Sequence, residues 1–62
     1  MKSFITLINM NGDNFEIEFD MIDDMRWIEK HILIITLTND ITIACCMSKS
    51  EYNDACNNMR FE

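Results

Sequence analysis

Proline is absent from this chain and glycine occurs once, at Gly12. A phosphate-cradling P-loop or a dinucleotide fingerprint needs several glycines where the backbone approaches phosphate, so neither can be written here. Basic residues are also scarce. Five Lys and Arg stand against eleven Asp and Glu, a formal net charge of −6 over 62 residues. So few scattered cations cannot build a phosphate-binding patch, and neither nucleic acid nor a membrane is an expected partner. No apolar run approaches the roughly 18 residues of a membrane span. Cysteine is sparse and odd in number: Cys45, Cys46 and Cys56, two of them adjacent, make a poor disulfide framework. The opening MKSFITLINMNGDNF carries one Lys and soon turns polar and acidic, unlike a secretory signal. A reduced, soluble, cytoplasmic protein is the expectation, in the host cytoplasm if the source is viral.

What is present is apolar and β-branched. Hydrophobic residues make up 48% of the chain, too many for a disordered segment, and Ile alone occurs ten times. Ser3 to Met10 and Asn14 to Met21 flank Asn11-Gly12, the strongest short-range hairpin signal because both residues tolerate positive φ. In the second run Phe15, Ile17 and Phe19 point one way and Glu16, Glu18 and Asp20 the other. The size of the turn decides whether Phe4, Thr6 and Ile8 or Ile5 and Leu7 join the phenylalanine face. Asp23-Asp24 reads as a turn and Met25 to Glu29 as a short strand. Ile32 to Thr38 and Ile41 to Met47 then flank Asn39-Asp40 as a further hairpin. The tail changes period. Ser48-Lys49-Ser50-Glu51 fits a capping box, and Tyr52, Ala55, Cys56 and Met59 recur on one helical face.

The expected fold is therefore a single α+β domain. An antiparallel β-meander of four or five strands (about 3–10, 14–21, 25–29, 32–38 and 41–47), open or curled into a small barrel, precedes one C-terminal α-helix at about 50–60. Neither run of ILIITLTNDITIACC alternates, so both faces of that hairpin are apolar. A two-residue turn would set Leu33, Ile35 and Leu37 beside Thr42, Ala44 and Cys46, whose small side chains invite the helix. Ile32, Ile34, Ile41 and Ile43 would lie opposite, uncovered. Leaving several Ile exposed costs about 1.5–3 kcal/mol each relative to burial, in a small domain worth about 5 kcal/mol. Curling or self-association through Ile32, Ile34, Ile41 and Ile43 is the expected remedy.

Catalytic and metal motifs are missing. His31 with the three cysteines has the ligand types for zinc, but adjacent Cys45 and Cys46 on a strand point to opposite faces. No catalytic residue, cofactor or metal is expected, and the protein is read as a non-enzyme. The most specific feature is an acidic band: Asp13, Glu16, Glu18, Asp20, Asp23, Asp24 and Glu29 hold seven of the eleven acids. On a strand Glu16, Glu18 and Asp20 would stand about 6.7 Å apart, twice the strand rise per residue. Such a row suits a protein partner with a basic surface, in the manner of a nucleic-acid mimic; a solvated outer sheet face is the simpler account and carries the greater weight. Trp27, the lone Trp, is a candidate contact anchor if exposed.

The profile resembles in type, though in no particular residues, the small accessory proteins that phages and mobile elements encode. The resemblance implies an inhibitor or modulator of a host defence protein, acting as a homodimer or higher oligomer. The alternatives are an oligomeric sponge for a small signalling molecule and a structural subunit of a larger assembly.

Overall fold

Two turns of the same construction set the register of the molecule, which a computed structural model describes over all residues, Met1–Glu62. In the first, the Asn9 amide donates to the Asp13 carbonyl (2.9 Å) and the Gly12 amide to the Asn9 carbonyl (3.0 Å). The side-chain oxygen of Asn9 accepts from the amides of Asn11 and Asp13 and so braces the turn from within. In the second, the Leu37 amide donates to the Ile41 carbonyl (2.8 Å) and the Asp40 amide to the Leu37 carbonyl (3.0 Å). Each turn holds three residues, Met10-Asn11-Gly12 and Thr38-Asn39-Asp40, and the third has positive φ.

The extra residue rotates the pairing by one position. In the first hairpin β1 (Ser3–Ile8) pairs with β2 (Asn14–Glu18) so that Ile5 faces Ile17 and Leu7 faces Phe15. All four point into the core, and Thr6 and Glu16 stand on the other side. In the second hairpin β4 (Ile32–Leu37) pairs with β5 (Thr42–Cys46), placing Leu33 opposite Cys45 and Ile35 opposite Ile43. The two-residue turn expected at Asn39-Asp40 is thus corrected. Ile43, Cys45 and Met47 face inward with Leu33, Ile35 and Leu37, while Ala44 and Cys46 are exposed.

The expected single meander is corrected too. The strands form two three-stranded antiparallel sheets, ordered β2-β1-β6 and β3-β4-β5. After Glu18 the chain makes a 3-10 turn, Phe19–Met21, and then runs directly into β3 (Ile22–Glu29), with no ladder between β2 and β3. Asp23-Asp24 is not a turn but part of this edge strand, which is irregular between Ile22 and Asp24 and between Trp27 and Glu29. Irregularity and charge are common protection for an exposed strand edge. β6 (Arg60–Phe61), unforeseen, pairs with the start of β1. The sheets join at a single bridge, Asn9 to Cys45, while the Thr38 amide on the Met21 carbonyl (2.9 Å) extends the β3–β4 pairing back to the 3-10 turn.

Between the sheets lies a core of Ile5, Leu7, Leu33, Ile35, Leu37, Cys45, Met47 and Tyr52. The helix α1 (Lys49–Asn57) begins with the capping box read from the sequence. Ser48 Oγ accepts from the Glu51 amide (3.2 Å), and Glu51 Oε1 accepts from the Ser48 amide (2.9 Å). The helix ends at Asn57, short of the expected boundary, where Asn58 folds its side-chain amide back onto the Asp54 carbonyl (2.8 Å). Tyr52, Ala55 and Cys56 face the core, as does Met59 beyond the helix end. The helix packs chiefly against β1 rather than on a face bearing Ala44 and Cys46. No helix is long and apolar enough to cross a membrane.

Candidate functional site

Three surfaces carry the residues singled out by sequence. The first is the outward face of the β3-β4-β5 sheet. Ile32 pairs with Cys46, and Ile34 lies between Arg26 and Ala44, with Asp24, Thr36 and Thr42 farther along. Ile32 and Ile34 are half-buried by these neighbours, while Arg26, Ala44 and Cys46 are exposed. The four Ile residues expected to gather here do not all do so. The register turns Ile43 into the core, and Ile41, which closes the second turn, is 53% exposed.

The second is the acidic band, which the structure splits into paired and unpaired members. Arg60, delivered by β6, makes a two-point contact with Glu16 (Nη2 to Oε1, 2.6 Å; Nε to Oε2, 3.1 Å). It also pairs with Glu62 and lies 4.4 Å from the centre of the Phe4 ring. The hydrogen bond from Arg60, aided by its charge, holds the Glu16 carboxyl below the usual carboxylate range and raises the guanidinium's own pKa. Lys2 stands 3.8 Å from Glu18. The 3-10 turn takes Asp20 out of the strand, so the row Glu16, Glu18, Asp20 does not continue. Asp13, Asp20, Asp23, Asp24 and Glu29 are exposed and in no ion pair.

The third surrounds Trp27, which sequence reasoning named only as an anchor. Its Nε1 donates to the Met47 carbonyl (2.9 Å), and its ring meets Tyr52 edge-on at 5.9 Å and 84°. The rest of the indole lines an open groove of about 580 Å³ between the end of β3 with the β3–β4 turn (Ile28 to His31) and the start of α1 (Ser48 to Ser50). Lys49 Nζ hangs 5.6 Å from the ring centre. The nearby Glu51 carboxyl is held below its usual range, mainly by its hydrogen bonds with Ser48 and slightly by the charge of His31. The groove escaped sequence reading because its two walls are distant in the chain. Only the return of β4 and β5 brings them together.

The cysteines divide as strand alternation requires. Cys45 is fully buried, and burial pushes its thiol up to about 11; Cys46 is exposed on the opposite face. Cys56 lies beside Tyr52, whose phenol is pushed up to about 12, first by burial and then by that thiol. No three His, Cys, Asp or Glu side chains gather closely enough to enclose a metal ion.

No known family model, curated protein or solved structure matches this chain.

Proposed function

We propose that this chain is a small non-enzymatic binding protein that acts as a homo-oligomer and modulates a protein partner. The observation that carries the reading is the outward face of β3-β4-β5. Ile32, Ile34, Ala44 and Cys46 form its apolar centre, and α1 packs on the other side of the fold. In a two-layer domain an apolar sheet face without a covering layer calls for one from elsewhere. A second copy of the chain supplies a matching face, and the exposed Arg26 and Asp24 of β3, of opposite charge, support such a pairing. The unpaired acids Asp13, Asp20, Asp23, Asp24 and Glu29 then steer the oligomer towards a basic partner surface. An inhibitor of a host defence protein, of the kind phages and mobile elements encode, is the specific form of this proposal.

Light scattering over a dilution series tests the first part. A dimer or larger species is expected, with Ile34→Glu giving a folded monomer. A wild-type monomer at every concentration overturns the oligomer. For the partner, binding to a captured host protein should weaken with salt and with Asp23→Lys/Asp24→Lys; indifference to both overturns the acidic surface.

A further inference from the structure

We infer that the groove between the β3–β4 turn and the start of α1 is a binding site for a small molecule that joins a flat ring to an anionic group. The site lies within one chain and does not depend on self-association.

The first support is shape. This is the single groove of its size on the molecule, and about 580 Å³ lies within the range of small-molecule sites. The second is the state of its aromatic wall. Trp27 is fixed along its edge by the Met47 carbonyl and by Tyr52, so little freedom is left to lose when something stacks on it. The ammonium of Lys49 now hangs over the ring on a long flexible stem. A flat ligand takes that place and leaves the ammonium at its rim, beside the ligand's charged group.

The third support is charge. Two of the five cationic side chains, Lys2 and Arg60, are matched to carboxylates elsewhere. Of the other three, Lys30 and Lys49 flank the groove, and neither is in an ion pair although acids outnumber bases by more than two to one. Glu29 is the one carboxylate among the lining residues, and Glu51 nearby is engaged with the Ser48 amide. Glu29 and Glu51 balance the two ammoniums in formal charge, so what marks the groove on a protein of net charge −6 is a pair of lysines in no ion pair at the rim of an aromatic wall. Lysine ammoniums at the rim and a ring at the wall select a molecule carrying both features.

Such chemistry comes from a mononucleotide or from an aromatic carboxylate. Both are tested by following the single Trp27 indole N–H and the Ser48–Ser50 amides in nitrogen–proton spectra of the whole chain. The probes are adenosine monophosphate, phenylacetate, adenosine and inorganic phosphate. Saturable shifts with adenosine monophosphate, phenylacetate or both are expected, and the responder identifies the source. Lys30→Gln and Lys49→Gln, both at exposed positions, should each weaken binding by about tenfold while leaving the melting temperature unchanged. No saturation with either ring-bearing anion overturns the site. Equal affinity for adenosine removes the anion from the account, equal affinity for phosphate removes the ring, and wild-type binding by both Lys variants removes the lysines; each overturns the inference.

Discussion

Gly12 and Asp40 occupy the same position in the two hairpin turns, with φ of +86° and +67°. Glycine takes this conformation freely, whereas a residue with a Cβ pays for it, Asp less than most. Nothing lies within 4 Å of a Cβ built at Gly12, so the backbone alone sets the cost there. Gly12→Ala should destabilise by about 1 kcal/mol and Asp40→Gly should stabilise by up to about 1 kcal/mol. Urea unfolding of the two variants measures both, and a destabilised Asp40→Gly would contradict the shared geometry.

The capping box gives a second prediction. Ser48→Ala removes the acceptor of the Glu51 amide and should cost about 1 kcal/mol, with loss of helical circular dichroism on mild heating.

Acid weakens the fold through Glu16 and Glu51, whose carboxyls both lie below their ordinary value of 4.5. The unfolded chain takes up these protons first as pH falls. Their contribution is therefore complete above that ordinary value and is lost as pH drops through the lower folded values. Arg60→Gln, which releases Glu16, should flatten part of this decline in melting temperature.

At the alkaline end the sign reverses. Cys45 rises from 9.0 to about 11 and Tyr52 from 10.0 to about 12, so the unfolded chain gives up protons before the folded one does. Stability should fall as pH climbs above the ordinary thiol value of 9.0. Thiol alkylation followed by peptide mapping checks the same burial. Cys46 should react readily, Cys45 only on unfolding; early loss of Cys45 would refute its placement.

The helix start was fully legible, because Ser48 and Glu51 satisfy each other's backbone amides locally and need nothing from the rest of the fold. The alternation of Phe15 and Ile17 with Glu16 and Glu18 likewise named the inner face of β2 correctly. The size of the second turn was not legible from Asn39-Asp40 alone, since such a pair suits turns of two or three residues. Packing decides between them. The three-residue turn sends Ile43, Cys45 and Met47 inward, where Thr42, Ala44 and Cys46 would have left a polar and underfilled core. That same shift removed Ile43 from the expected self-association set. The pairing of Glu16 with Arg60 was hidden as well, because a two-residue strand at the far end of the chain has no periodic signal.

The backbone pairing of Lys2 with Glu62, amide to carbonyl in both directions (2.7 and 2.8 Å), closes a loop that spans nearly the whole chain. The three hairpins close loops of only a few residues, which takes microseconds; this clasp must wait for everything between its ends. It is therefore a late event in folding and an early one in opening. Its few hydrogen bonds and the Arg60–Glu16 contact form a small cooperative unit that can release while the core stays intact. The amides of Lys2 and Glu62 should exchange with solvent far faster than those of Ile5 or Ile35. Removing β6 should shift the unfolding rate more than the folding rate.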